Sequence, residues 1–351
     1  MMSTVNPVIS AWSAVSPYGI GRAAFAAGLR SGRPSAQPLD PAQWQVPDET
    51  ACLVPDFDIR EVLGKKGTRS MDRVSALAVA TVGELLAEAG DAAPPPAGTG
   101  LVLGTTTGSA QSLMDFSRDS FTQAKPYFVD AARFPNAVMN CASGQCAIWH
   151  GLKGPNATVA GGRVAGLFAL NYARRLLRAG RADAVLSGAV EEYSPARSWL
   201  DHHGRGDDET ATVLGEGCGV LLLTSTAAAA GSLAEVLAVE FGTAPDSDYR
   251  QSLESCVRRA LRRAGLDLAD VWAVAPGGGD AERGLLDSLL PDDRVRRIDC
   301  AGLLGDAAAA AATFQILAVL SLADDGPAGR VVLVTANDRS GLVGCALLRL
   351  P

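Results

Sequence analysis

The feature that most constrains the fold of this 351-residue chain is an order of helices and strands that occurs twice. Each occurrence has a helix and a strand that ends in a small polar loop, followed by a second helix and a second strand. The matched segments are helices 69–89 and 249–264, strands 101–104 and 271–275, helices 164–179 and 304–322, and strands 183–189 and 330–335. This internal duplication predicts an α/β fold with two similar halves, over residues 1–230 and 231–351.

A strand, a sharp bend and a long helix follow one another in the first half. Gly154-Pro155-Asn156 has turn residues, 157–160 can form a strand, and Gly161-Gly162 allows the chain to bend. Apolar residues at helical spacing then run over 164–179. A residue at such a bend faces free backbone N–H groups, where an activated nucleophile often lies. Here it is Arg163, whose guanidinium has no lone pair with which to attack.

Composition and charge exclude several classes of function. The chain is 48% hydrophobic and 20% charged, as is typical of globular α/β proteins, and its net charge of −7 with no basic patch disfavours a nucleic-acid binder. Seven scattered cysteines without a Cys-x-x-Cys pair indicate reduced thiols rather than disulfides or a zinc site. The N-terminus lacks the pattern of a signal peptide, and the longest apolar run, 307–323, is shorter than the ~20 residues of a membrane span. We therefore expect a cytoplasmic protein.

The bend resembles the nucleophile elbow of the β-ketoacyl synthases, the ketosynthases of the thiolase superfamily. In that family a Gly-Pro-Asn turn and a Thr-Val strand lead to a reactive Cys, with a Gly three residues later. Residues 154–156, Thr158-Val159 and Gly166 match this pattern, and Arg163 stands at the Cys position. Similar segments elsewhere are 14–19 (AVSPYG), 69–73 (RSMDR) and 213–220 (VLGEGCGV). The resemblance implies a thiolase-like fold in which two duplicated βαβαβ-type halves pack as five layers, α-β-α-β-α.

The same resemblance implies that the catalytic groups are lost. Active ketosynthases need a thiolate and two histidines. The first histidine position is Pro276, which follows a strand, and the second is Asp306. The family's lysine has no match in 299–302, and its Gly-rich penultimate loop is represented by 337–341. We therefore expect no condensation chemistry from this chain by itself, and neither a cofactor nor a metal.

Arg163 needs a partner, because burying an unpaired guanidinium costs several kcal/mol. In the family the nucleophile and the second histidine converge, so the resemblance implies an ion pair between Arg163 and Asp306 that closes the old active site. The alternatives are that Arg163 turns to solvent or pairs with Glu191, Glu192 or Glu216.

Other reactive residue types have ordinary structural interpretations. His150 is expected to make a structural hydrogen bond, and His202-His203 to lie in a solvated loop, where adjacent side chains are poor metal ligands. Cys141 and Cys146 lie in an apolar segment with no predicted helix start nearby, which indicates small core residues. The glycines at 277–279 fit neither a dinucleotide-binding nor a P-loop spacing.

Ketosynthases work as two-fold dimers, so a copy without catalytic groups is most simply explained as half of a heterodimer with an active ketosynthase. The chain resembles the chain-length factors of type II polyketide synthases. In that family the inactive subunit shapes an interface tunnel that limits the chain growing on acyl carrier protein. Chain-length factors of aromatic systems generally carry Gln where this chain has Arg163. That difference and the short loops favour the highly reducing, polyene-forming systems.

In chain-length factors the helix after the first polar loop gates the tunnel, and the matching helix here is predicted over about 110–121. The candidates for the tunnel and the interface are Ser109, Leu113, Met114, Phe116, Ser117, Phe134 and Met139. The alternative is that the residues of this helix belong to an ordinary core. Two rival functions also remain: a stand-alone, divergent thiolase-like acyltransferase or decarboxylase, and a scaffold that stabilises a partner without shaping a tunnel.

Overall fold

The structure is a computed structural model and describes residues 6–206, 211–225, 232–244, 248–291, 295–322 and 328–351. Its strands are β1 (Val8–Ser16), β2 (Gly19–Ile20), β3 (Gln37–Pro38), β4 (Thr50–Cys52), β5 (Thr99–Thr105), β6 (Asn156–Ala160), β7 (Ala184–Glu191), β8 (Leu214–Gly215), β9 (Gly217–Thr224), β10 (Ala234–Thr243), β11 (Val271–Ala275), β12 (Arg296–Arg297), β13 (Val331–Asn337) and β14 (Leu342–Arg349). Its α-helices are α1 (Arg22–Ser31), α2 (Ile59–Leu63), α3 (Arg73–Ala89), α4 (Ala110–Thr122), α5 (Cys141–His150), α6 (Ala165–Arg178), α7 (Pro195–Gly204), α8 (Tyr249–Ala264), α9 (Asp280–Leu289), α10 (Ala301–Leu304) and α11 (Ala311–Ser321). Short 3-10 helices occupy Gly90–Ala92, Ala131–Ala137, Gly162–Val164, Leu268–Asp270 and Ala308–Ala310.

The main sheet consists of two five-stranded parts with the same pattern of strand directions. Its order is β12-β11-β13-β14-β10-β1-β9-β7-β5-β6. In each part three parallel strands, β6-β5-β7 or β12-β11-β13, are followed by two strands that each pair antiparallel. The parts join where Val8 and Ile9 of β1 pair with Glu235 and Ala234 of β10. The predicted α/β class is confirmed. The predicted division between residues 230 and 231 falls outside the described residues and stays a prediction.

Helices cover both faces of each part of the sheet. Between the two parts lie α6 and α11, whose apolar residues share one core with strands of both parts, including Leu167, Phe314 and Val332. Every residue of α11 from Ala312 to Ser321 is buried, as expected for a helix that is apolar all round. On the outer faces, α3 and α5 pack on the first part, and α8 and α9 on the second. The resulting layer order is the α-β-α-β-α order that the resemblance implies.

Several predicted elements need correction. The segment 34–55, whose Pro, Gln and Asp content predicts a surface loop, contains β3 and β4, and buried Ala51 of β4 pairs with Leu214 of β8. The helix predicted from residue 69 begins at Arg73, because Asp72 caps it by accepting a hydrogen bond from the Ser75 N–H at 2.8 Å. The helix α9 is absent from the predicted elements.

The predicted helix 304–322 is wrong in its first turns, because the backbone of Asp306 makes hydrogen bonds to Val213 and Gly215 instead of helical ones. Gly305 has a φ of +71°, which ends α10. The Asp306 N–H then donates to the Val213 carbonyl at 2.8 Å, and the Asp306 carbonyl accepts from the Gly215 N–H at 2.9 Å. These bonds hold Asp306 beside β8 and leave a regular helix only from Ala311. Across the described segments, no helix is both long enough and apolar enough to cross a membrane.

Candidate functional site

The predicted elbow is present between β6 and α6. β6 ends at Ala160, the chain bends at Gly161 and Gly162, and Arg163 lies in a short 3-10 turn that continues into α6. Gly162 has a φ of +50°, and a Cβ at this position would collide with the carboxylate of Asp338. The backbone conformation therefore favours glycine there, and a larger residue would displace the Asp338 carboxylate from its position.

At the bend, the Arg163 side chain forms an ion pair with Asp306. Its Nε–H donates to Asp306 Oδ2 at 3.1 Å, and its Nη2 contacts the same oxygen. The other oxygen, Asp306 Oδ1, accepts from the Ala308 N–H at 2.9 Å. The two side chains are only 22% and 12% exposed. The predicted ion pair is confirmed, and the alternative that Arg163 turns to solvent is wrong.

Local charges keep Asp306 ionised. Burial by itself raises the pKa of this carboxyl, but the guanidinium of Arg163, the charge of Arg197 and the Ala308 N–H together outweigh burial and lower the pKa to about 2. Arg197 also donates to the Asp306 carbonyl at 2.6 Å, which ties α7 to the same point. At neutral pH Asp306 is therefore a hydrogen-bond acceptor and cannot donate a proton.

The other carboxylates considered for Arg163 are engaged elsewhere. Both oxygens of Glu216 accept from Arg73, at 2.7 and 2.5 Å, and Glu216 also accepts from the backbone of Val54 and Tyr193. Glu191 accepts from Thr106 at 2.5 Å. The role of these acids is to hold loops and helix starts around the elbow.

Glu192 fixes the start of α4. Its Oε1 accepts from the Ser109 hydroxyl and from the Gln111 N–H, both at 3.1 Å, and Ser109 in turn caps α4 by accepting from the Ser112 N–H. Burial, together with the nearby charge of Asp72, raises the pKa of Glu192 to about 7. The predicted site residue Ser109 is thus buried at the helix start rather than exposed along α4.

Pro276 lies in a loop that is held by an internal carboxylate. Glu282 of α9 is fully buried, and it accepts from the Gly277 N–H at 3.1 Å, from Asn337 Nδ2 at 2.8 Å and from the Thr335 hydroxyl. Burial raises the pKa of Glu282. Glu282 is not among the predicted site residues, because α9 is not among the predicted helices. The apolar residues at 285, 286 and 289 could have revealed that helix.

The loop 337–341 also reaches the elbow. Asp338 Oδ2 accepts from the Arg163 N–H at 2.9 Å, while Oδ1 accepts from the N–H and the hydroxyl of Ser340 at 2.9 and 2.6 Å. The sequence identifies this loop as different from the family pattern, but it does not reveal this contact. Arg163 therefore meets one carboxylate through its side chain and another through its backbone.

The remaining candidates for the tunnel and the interface lie at an apolar surface. Met114 is 43% exposed, and Leu113 is exposed beside it. Phe134 and Met139, which follow α4 in the chain, are exposed too, and the rings of Phe116 and Phe134 lie 5.6 Å apart. Ser117 is partly buried. Ala110 is the sole buried residue of α4, so the interpretation as ordinary core residues is wrong.

The other reactive residues are mostly structural. The Nε2 atom of His150 lies 2.9 Å from the Val79 carbonyl, which confirms the predicted hydrogen bond. Cys141 is the first residue of α5, contrary to the prediction of no helix start nearby, but burial raises the pKa of its thiol. His202 and His203 lie in the last turn of α7, not in a loop. Within the described residues, no cluster of metal-binding side chains is present, and all seven cysteines are free thiols.

Comparison with known proteins identifies the family. The model described as the N-terminal domain of beta-ketoacyl synthases matches residues 6–229, which is more than half of the chain. The chain belongs to the beta-ketoacyl synthase family. The predicted resemblance and the thiolase-like ketosynthase fold are confirmed.

Three beta-ketoacyl synthase relatives extend over most of the chain. The solved structure of the ishigamide ketosynthase/chain length factor is similar with 48% sequence identity and a TM-score of 0.93, over 98% of this chain and 99% of that one. The 3-oxoacyl-acyl-carrier-protein synthase 2 of Rhizobium meliloti is 26% identical over 89% of this chain and 86% of its own length. A protein described as a beta-ketoacyl synthase 2 for the polyketide actinorhodin, from Streptomyces coelicolor, is 28% identical over 79% of this chain and 74% of its own length.

Proposed function

We propose that this chain is the chain-length factor of a type II polyketide synthase. It pairs with a catalytic ketosynthase and shapes the tunnel that limits the chain growing on acyl carrier protein. The ion pair of Arg163 with Asp306 is the observation that carries this proposal, because it lies where the family places a nucleophile and a histidine. The 48% identity to a ketosynthase/chain length factor supports the same role.

The chemistry of the three degenerate positions supports a non-catalytic subunit. A guanidinium at the bend cannot act as a nucleophile, and the ring of Pro276 neither donates nor accepts a proton. Asp306 has a pKa of about 2 and is already engaged with Arg163 and Ala308. None of these three side chains can therefore carry an acyl group or act as a general acid at neutral pH.

The surface around α4 and α5 supports a protein partner. We use the name α4–α5 face for the exposed apolar residues Leu113, Met114, Phe121, Tyr127, Phe128, Phe134, Val138, Met139, Ile148 and Trp149. Large apolar side chains that are exposed to solvent are characteristic of interaction surfaces. Next to α5, the strand β6 pairs with β5 at the end of the sheet order, and no other strand of the described residues pairs with its outer edge. A second copy of this chain would supply another degenerate site, whereas an active ketosynthase would supply the missing Cys and histidines.

The position of α4 supports a role in setting tunnel length. Its start is fixed by Glu192 and by the Ser109 cap, so Met114 and Phe116, one to two turns further on, are held at a defined distance from the sheet. Bulky side chains on a helix fixed in this way limit the depth of a cavity, because forcing a longer chain against them strains both. The Arg at the nucleophile position further favours a highly reducing, polyene-forming system over an aromatic one.

Pairing is tested by co-expressing a tagged form of this chain with a candidate ketosynthase. We expect a 1:1 complex by size-exclusion chromatography and poor yield of the tagged chain by itself, because a subunit that loses its partner exposes the α4–α5 face. Ile148 is 80% exposed on that face, and Ile148→Asp should reduce recovery of the partner by tenfold or more.

The matched control is Leu200→Asp, which places the same charge on an exposed leucine of α7 outside the α4–α5 face and should leave recovery unchanged. A chain that is monomeric, well behaved and active in acyl transfer or decarboxylation without a partner would instead support a stand-alone enzyme.

A further inference from the structure

The backbone N–H of Arg163 is the donor at which an acyl oxygen would be bound if this elbow were active. Backbone N–H groups at a strand-to-helix bend bind anions, and in acyl transfer such donors stabilise the oxyanion of the reacting carbonyl. In this chain the donor is occupied from within the protein, because Asp338 Oδ2 accepts from the Arg163 N–H at 2.9 Å.

The Asp338 carboxylate is held firmly in that position. Its second oxygen accepts two hydrogen bonds from Ser340, through the N–H and the hydroxyl. The turn is closed by the Gly341 N–H, which donates to the Asp338 carbonyl, and by the Asp338 N–H, which donates to the Leu342 carbonyl, each at 2.9 Å. β13 and β14 flank the turn on both sides.

The elbow is shaped to receive this carboxylate. Gly162 leaves room for the two oxygens of Asp338, which a side chain at this position would push away. The side chain of Arg163 meanwhile points to Asp306, which comes from a different segment of the chain. The two carboxylates thus approach one residue independently, one at its backbone and one at its guanidinium.

We propose that Asp338 is an internal anion that closes the elbow by occupying the Arg163 N–H, so that the site is blocked twice, by Asp306 at the side chain and by Asp338 at the backbone. This inference rests on the proposed non-catalytic role of the elbow but not on pairing with a ketosynthase. It has a direct consequence. If a cysteine replaces Arg163, its backbone N–H is still occupied by Asp338. The thiol then lies beside the negative charge of the Asp338 carboxylate, which disfavours the thiolate.

The test compares R163C, R163C/D338N and R163C/D306N in the full-length chain. The measured quantity is the rate at which iodoacetamide alkylates the introduced thiol between pH 6 and 10. Peptide mass spectrometry identifies the alkylated cysteine, and the wild-type chain gives the background from the seven native cysteines. We expect R163C to react slowly at pH 7.5, R163C/D338N at least tenfold faster, and R163C/D306N to gain less than R163C/D338N, because Asp338 bonds the backbone of the reacting residue itself. A rapid reaction of R163C, or an equal or larger gain from D306N, would overturn the proposal.

A second measurement leaves the ion pair of Arg163 with Asp306 unchanged. In the otherwise unchanged chain, D338A should accelerate hydrogen exchange of the Arg163 amide at least tenfold, while amides in the centre of α6 keep their protection. The control S340A removes the hydroxyl contact to the other oxygen and should have a smaller effect. Unchanged exchange at Arg163 in D338A would show that the carboxylate does not hold this donor, and it would do so whether or not the chain binds a ketosynthase.

Discussion

Met114→Ala and Phe116→Ala, each produced together with the catalytic ketosynthase, are expected to lengthen the polyketide by about one or two two-carbon units. Both residues lie on α4, whose first turn is fixed by Glu192, so trimming their side chains deepens the space in front of the helix without moving it. Phe116→Ala should have the larger effect, because it removes a whole ring that now contacts Phe134. Products released from the complex are compared by liquid chromatography and mass spectrometry.

The control for this prediction is Phe121→Ala. Phe121 lies on the same helix, about two turns beyond Met114, and is 88% exposed. Its truncation should weaken pairing with the ketosynthase but leave product length unchanged. If Met114→Ala and Phe116→Ala both give the wild-type distribution of lengths at normal yield, α4 is not the gate, and a scaffold that shapes no tunnel becomes the better account.

Asp306→Asn is expected to lower the free energy of unfolding by about 3 kcal/mol, because removing one partner of a largely buried ion pair leaves the other charge without compensation. The remaining charge is the Arg163 guanidinium, and the asparagine oxygen can still accept from Ala308. Arg163→Met should be similarly destabilising, since it leaves Asp306 buried and ionised. Urea denaturation of the full-length chain gives both values.

The double variant Arg163→Met/Asp306→Asn is the control, and it should lose less stability than the sum of the two single changes. The pH dependence has a defined sign. Because the folded-state pKa of Asp306 is lowered to about 2, its contribution to stability is present above its ordinary pKa of 3.8 and is lost as the pH falls towards 2. The difference between wild type and Asp306→Asn should therefore shrink in acid. Additive losses in the double variant would show that the two side chains are not coupled.

The sequence predicts the elements of this structure that depend on hydrophobic periodicity and on local turns. Helix 249–264 and strand 271–275 are found with the predicted bounds, because α8 ends at a left-handed Gly265 and its apolar residues recur at helical spacing. The contact between Arg163 and Asp306 was also predictable, since two positions that converge in the family carry opposite charges. Local sequence signals were sufficient to predict α8 and β11, and one pair of opposite charges was sufficient to predict the contact between Arg163 and Asp306.

The contacts that the sequence does not reveal are made between segments that are far apart in the chain. Asp306 lies beside β8 because its backbone bonds to Val213 and Gly215, and this interrupts a stretch whose composition favours one long helix. The contact of Asp338 with the Arg163 N–H joins residues 175 positions apart in the chain. It depends on how the turn 337–341 is placed against the elbow. Likewise, the apolar spacing of α4 looks like that of a core helix, and the structure alone shows that those side chains face outwards.

The central claim is that this chain does not itself carry the acyl group, and intact-protein mass spectrometry after incubation with acyl-acyl carrier protein tests it most directly. The chain is measured by itself and in complex with its ketosynthase. We predict that the acyl mass appears on the ketosynthase subunit and that this chain keeps its unmodified mass in both samples. An acyl adduct on this chain in the absence of any ketosynthase would contradict the account.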